Sequence, residues 1–518
     1  MPSLTVIQEE TSLQSVAQPS SQDPTAVGSP NLLSTASLLL LSLLAISING
    51  YHPYSEDAGI YVAGIKHSAN PNLYGSSAAF VTAYSQLSRF SQWNAWLTHA
   101  LSLPIDYYLL TTQILTTFLL LYACLKLARL CFDDPVAQWG AVCFVAIGLS
   151  LPVAGSAVFM MDPYVTARSF STPLTLLAIC ACLEGRVFRS LALLLLVALF
   201  HPLMAIYAIA FVLLLWAVRQ RSRVAVASLV SLAIAAGALI QYSQRAVIET
   251  AAHQAAVASR SYYFLYRWQW YELFGLAAPL ILLAAYAYWK RNTRGSGADL
   301  AQTCVLIGVT SVAISLLLAR PSSHSHLIAA MQPMRSFLIL YFCLFLLLGG
   351  LIGQLCLRRH VWRWALLFVP FAAGMATMQH YLYSASPHLE LPGTASSNGW
   401  NAAFLWIKAN TPDDALFAMD ADYINAPGED AQGFRAITER ASLADLSKDG
   451  GAAAAFPQLA DKWMRESTAQ THLNEVDDAE RIRRLAPFHA TWIILDRSAR
   501  TAMACPFEDD LAKVCRLI

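Results

Sequence analysis

The chain has 518 residues, of which 56% are hydrophobic and only 13% charged, and its mean hydropathy is +0.47. Soluble domains run at about one-quarter charged, so an ordinary soluble protein is excluded. The formal net charge of +1 hides a split: residues 1–380 carry 21 Lys and Arg against 13 Asp and Glu, and residues 381–518 carry 13 against 20. That is a basic membrane body with an acidic tail. Neither part concentrates the basic face that nucleic-acid binding needs, so nucleic acid is not an expected partner.

Residues 1–30 are rich in Ser, Gln, Pro and Thr and read as a disordered cytoplasmic arm without a signal peptide. The transmembrane domain is expected over 31–380. Eleven apolar segments follow one another at 32–49, 106–130, 136–156, 170–184, 187–200, 203–218, 224–241, 271–289, 300–319, 336–357 and 361–380. Lys126 with Arg129, Arg186 with Arg189, Arg219 to Arg223, Lys290 to Arg294 and Arg358 to Arg363 fall on one side of this pattern. By the positive-inside rule that side is cytoplasmic, with the N-terminus inside and the tail outside. One helix through 187–218 would measure about 48 Å against a hydrocarbon core of about 30 Å. His201-Pro202 supplies a break, so a hairpin of two short helices is expected there, with His201 near the outer face.

The outer segments include a long first loop, 50–105, and an extracytoplasmic domain, 381–518. In the latter, Trp400–Asn410 reads as a helix, and Ala415–Met419 and Thr491–Leu495 as short buried strands. The fold class is thus a polytopic α-helical membrane protein of about eleven transmembrane helices with a small C-terminal α/β domain. Eight of the ten cysteines lie in or beside apolar segments and read as small packing residues. Cys505 and Cys515 fall in the tail and are a disulfide candidate in an oxidising compartment.

Ionisable groups beside helix ends at membrane depth are candidates for function. The first loop opens with Glu56 and Asp57; Asp162 and Arg168 follow the third segment; His201 tops the hairpin. Arg267 and Glu272 enter the eighth segment, and Arg320, His324, His326 and Arg335 lie between the ninth and tenth. Tyr262, Tyr263, Trp268, Trp270 and Tyr271 read first as an interfacial aromatic belt. This mixture of acids, His and Arg on one face suits a lipid-linked phosphate donor. Arginine holds its anionic head, a carboxylate takes the acceptor's proton, and one or two carboxylates, Asp57 and Asp162 being the candidates, could hold a divalent cation.

An acid in a long first outer loop, many helices and a C-terminal outer domain resemble the GT-C superfamily of membrane glycosyltransferases and its uncharacterised bacterial relatives. The stretch Ser55–Tyr61 with Asn70-Pro71-Asn72-Leu73-Tyr74 is similar to their first loops. Gln332-Pro333-Met334-Arg335 is similar to a Gln-Pro-x-Arg element, and Trp406-Ile407 with Thr411-Pro412-Asp413-Asp414-Ala415 to the start of their outer domains. The resemblance implies glycosyl transfer at the outer face of a bacterial cytoplasmic membrane. The donor would be a polyprenyl-phosphate sugar and the acceptor a glycan, lipid or protein. Asp57 or Glu56 would be catalytic base or metal contact. The Trp-Trp-Asp motif of oligosaccharyltransferases is absent from the sequence, which argues against protein N-glycosylation. Two other classes compete: a transporter or flippase, and a non-catalytic scaffold acting through Phe434-Arg435, Thr438-Glu439-Arg440 and Asp445.

Overall fold

The computed structural model describes residues 32–244, 247–293, 295–394 and 398–517; the expected arm at 1–30 lies outside them. All eleven apolar segments are helical, the conformation that satisfies every backbone polar group within one segment. Among the described residues, seven helices are long and apolar enough to cross a membrane, and four apolar helices are shorter. The expected 136–156 helix is one of the short ones. It starts at Asp134, whose side chain caps Val136 N–H ahead of Pro135, and ends at Ile147. Beyond Gly148, Pro152 interrupts the pattern, and a bridge between Pro152 and Phe159 closes a loop. The ends at 170 and 300 extend outward instead, to Ala167 behind the Thr166 cap and to Ser296.

The 187–218 stretch is a hairpin of Val187–Phe200 and Pro202–Arg219. Arg219, at the end of the second helix, donates to Cys182 O at 2.8 Å and to Leu183 O beside the start of the first. Several of the basic ends are paired: Lys126 and Arg186 lie 2.8 and 3.4 Å from Glu184, and Arg221 lies 3.1 Å from Asp299. Inside the body, Pro135–Ile147 crosses Phe337–Ile352 through glycines. A Cβ on Gly140 would stand 2.7 Å from Gly349 O, so no larger residue permits that approach. By contrast, only 6% of the apolar stretch in Arg223–Ser243 and in Val361–Leu382 is buried, which puts these helices at the periphery.

The C-terminal part holds a five-stranded sheet: β1 Leu416–Ala418, β2 Ala441–Ser442, β3 Trp492–Asp496, β4 Phe507–Glu508 and β5 Ala512–Arg516. The order is β2-β1-β3-β5-β4, parallel over the first three strands and antiparallel from β3 through β5 to β4. Four of the five residues of β3 are buried, as a strand covered on both faces requires. The helix Gly399–Asn410 packs Trp400, Phe404 and Ile407 on this sheet. Cys505 and Cys515 are joined as a disulfide.

This domain is docked on the first loop. Glu56 N–H donates to Ala431 O at 2.7 Å, and Gly433 N–H donates to Tyr54 O at 2.9 Å. A Cβ on Gly433 would stand 2.4 Å from the Gly59 Cα, so the two backbones touch and only glycine fits on both sides. The residues expected to form a partner surface are engaged within the protein, and Glu439 reaches across this junction. Phe434 and Asp445 are buried, Arg435 is bidentate on Asp449 at 2.7 Å, and Glu439 pairs with Lys66 at 2.7 Å.

Candidate functional site

Where the first loop, the helix ends and the C-terminal domain meet, they enclose a cavity of about 680 Å³. Seven of the residues singled out in the sequence line it: Glu56, Asp57, Asp162, Arg168, His201, Glu272 and Arg335. Four others do not. Arg267 and Arg320 are exposed, their guanidiniums donating to Ala258 O and Leu316 O. His324 is exposed. His326 is buried against Glu249, which accepts from its ring Nδ1 at 2.6 Å and from its backbone N–H at 2.8 Å. It therefore anchors the segment leading to Gln332 and Arg335 and stands outside the cavity.

Local structure explains the placement of the acids and Arg168. Glu56 has φ of +53°, a left-handed conformation that non-glycine residues adopt at a cost and that clusters at functional sites. It directs the chain into the Ala58–Ala69 helix, with Asp57 at the helix start. Arg168 lies in the first turn of Ala167–Leu183. Thr166 caps that turn by accepting from Arg168 N–H and donates its own hydroxyl proton to Asp162 Oδ2 at 3.0 Å.

These groups form a chain of alternating charge. One terminal nitrogen of Arg168 lies 3.1 Å from Asp57 Oδ2 and 2.9 Å from Asp162 Oδ2, and Arg168 Nε donates to the same Asp162 oxygen at 3.1 Å. On the far side Lys448 Nζ is 3.5 Å from Asp57 Oδ1 and also pairs with Glu56. The two aspartates are driven apart. Burial alone would raise the Asp57 carboxyl, but Lys448, Arg168 and Arg335 outweigh it and hold Asp57 well below the usual carboxylate range. At Asp162 burial prevails and the carboxyl is raised. Asp57 is thus the permanently ionised member, and its side chain is 32% exposed against 2% for Asp162. Burial, then Arg335 and Arg168, push His201 down to about 3, so its ring is neutral at physiological pH.

Arg335 differs from the other cations. Its guanidinium makes no hydrogen bond or ion pair with any described residue, and its Nε is buried without a partner. Asp162 Oδ1, His201 Nε2 and Gln332 Oε1 in the same wall are also unpartnered. Buried polar atoms are rarely left so, and a ligand or ordered water normally meets them.

Lys448, which also lines the cavity, carried no sequence signal. Lys448 opens the Lys448–Ala455 helix of the C-terminal domain, almost four hundred residues from Asp57 in sequence. Arg260 donates to Leu446 O and Ser447 O, both at 2.8 Å, and so ties the 251–269 loop to that helix. Tyr61, Tyr84, Tyr262 and Tyr263 complete an aromatic wall. The last two, expected in an interfacial belt, face the cavity, while Trp270 and Tyr271 are exposed.

The fit of a divalent cation can be judged from these donors. Among the described residues, no three His, Cys, Asp or Glu side chains gather as a metal-binding set. Asp57 and Asp162, the candidates, already share a guanidinium. The residues as arranged do not fit a metal ion.

No protein-family model matches the chain, and no curated protein does. Among solved structures it is similar to the oligosaccharyltransferase of Archaeoglobus fulgidus in three forms. The apo form aligns with a TM-score of 0.48, covering 89% of this chain and 69% of that one at 10% identity. The complex with Zn and sulfate gives 0.43, 89%, 68% and 10%. The same archaeal enzyme, AglB, in complex with an inhibitory peptide and a dolichol-phosphate gives 0.45, 89%, 69% and 10%.

Proposed function

We propose that this chain is a GT-C-like glycosyltransferase that moves a sugar from a polyprenyl-phosphate carrier to an acceptor at the outer face of a bacterial cytoplasmic membrane. In this reading all eleven apolar helices cross the bilayer, the N-terminus is cytoplasmic, and the C-terminal domain caps the cavity from outside. The observation that carries it is the presence, in one cavity, of an accessible ionised carboxylate and a guanidinium that no described residue contacts through a hydrogen bond or ion pair. Arg335 takes the phosphate of the donor, since an unpaired planar fork of donors is the group best matched to it. Asp57 accepts the proton of the acceptor hydroxyl as that oxygen bonds to the sugar's anomeric carbon. The carbon–oxygen bond to phosphate breaks, and polyprenyl phosphate leaves with the electron pair, its charge met by Arg335. Asp162 holds Arg168, and Arg168 holds Asp57, in register. The tyrosines offer flat faces and hydroxyls to the sugar.

The test is Asp57→Asn in full-length protein in proteoliposomes, supplied with a panel of polyprenyl-phosphate hexoses and pentoses and assayed for release of polyprenyl phosphate. Loss of a general base costs about 10²–10⁴-fold. Release at the wild-type rate by a normally folded Asp57→Asn protein ends this assignment.

A further inference from the structure

Three features bear on how the acidic cluster is neutralised. First, the seat between Asp57 and Asp162 is filled. Both carboxylates are within 3.1 Å of one terminal nitrogen of Arg168, which is where an ion bridging the two would have to sit. A guanidinium does not lose its charge in proteins. Arg168 is 6% exposed and fixed by a capped helix turn, so it has no ready route out. Second, the other oxygen of Asp57 faces Lys448, which also holds Glu56. Third, the charge is already nearly balanced. Glu56, Asp57 and Asp162 supply three acids, and Arg168 and Lys448 two cations. A dication added here would make the cluster net positive, with the unpaired Arg335 in the same cavity.

We infer that Arg168 and Lys448 together occupy the place of a divalent cation, so that this chain holds its acidic cluster with two organic cations, one from the membrane body and one from the C-terminal domain. This rests on the transfer reading for its purpose but not for its truth, because occupancy of the seat is a property of the protein alone. It also gives the C-terminal domain a positioning role: Lys448 arrives at Asp57 only when that domain is docked.

The experiment is a titration of full-length protein in nanodiscs with Mn2+, counting free Mn2+ by electron paramagnetic resonance, with no donor or acceptor present. Wild type is expected to show no saturable site dependent on Asp57 up to millimolar Mn2+. Lys448→Met and Arg168→Gln each free a side of Asp57. Either is expected to tighten Mn2+ uptake by at least about tenfold, equivalent to about 1.4 kcal/mol of removed repulsion, and Asp57→Asn in the same background is expected to abolish the gain. Lys448→Met keeps the test open if Arg168→Gln misfolds. One Mn2+ bound by wild type and lost in Asp57→Asn overturns the inference, as does a folded Lys448→Met protein with no gain. Mn2+ retained in Asp57→Asn lies elsewhere and leaves the seat filled as inferred. Failure of glycosyl transfer alongside a clean Mn2+ result refutes only the proposed reaction.

Discussion

Truncating Arg168 to alanine tests whether Arg168 is the electrostatic centre of the cluster. Arg168 is 6% exposed and Asp162 3%, and they meet at 2.9 Å. Removing one member of such a buried pair costs about 3–5 kcal/mol, mostly because the survivor keeps an uncompensated charge. Asp57 is spared because it retains Lys448, so the burden falls on Asp162. Asp162 can escape by taking a proton. From an unfolded value of about 3.9, doing so at pH 7 costs about 4 kcal/mol at 1.36 kcal/mol per unit, which caps the loss. The expected destabilisation at neutral pH is therefore about 3–4 kcal/mol. The sign of its pH dependence follows from the direction of the shift. A carboxyl raised by burial in the folded state is tolerated there in its protonated form. Its favourable contribution is complete below the unfolded pKa and is lost as pH rises through the folded one. The deficit of Arg168→Ala thus shrinks as pH falls below neutrality, and Asp162→Asn in the same background removes most of it. Unfolding in detergent followed by tryptophan fluorescence measures this. A deficit that does not change with pH, or a double variant whose loss is the sum of the two single losses, refutes the reasoning.

Arg335→Ala should weaken binding of polyprenyl phosphate by the worth of a charged hydrogen bond, about 1.5–3 kcal/mol, while melting stays near wild type because no described residue pairs with Arg335; lipid-binding titration reads the first and thermal unfolding the second. Gly433→Ala places a methyl 2.4 Å from the Gly59 Cα, and overpacking of about 1–3 kcal/mol should loosen the C-terminal domain, seen as faster limited proteolysis. Cys505→Ser opens a disulfide across a separation of ten residues and should cost about 2–4 kcal/mol in the unfolding of that domain under oxidising conditions.

Much of the body was legible in sequence because its rules are local. A run such as Phe337–Ile352 must be helical in lipid whatever its neighbours do, and the break at His201-Pro202 follows from proline's missing N–H and the length of the bilayer. Glu56, Asp57, Asp162 and Arg335 stood out because charge beside an apolar helix end is costly and therefore rare. The same rule also selected Arg267, Arg320 and His324, which are exposed: local cost marks a position at the membrane boundary but does not say which way it faces.

What only the tertiary structure decided is which charges meet. Hydropathy fixed the helices and their order, since each depends on about twenty neighbouring residues. The pairing of Asp57 with Lys448 and of Lys66 with Glu439 joins segments more than three hundred residues apart, and the sharing of Arg168 between Asp57 and Asp162 joins the first loop to the turn before Ala167–Leu183. The sequence showed an acidic tail with net charge opposite to the body. The fold makes that complementarity an interface, because Gly59 and Gly433 let the two backbones touch and so bring Lys448 to Asp57.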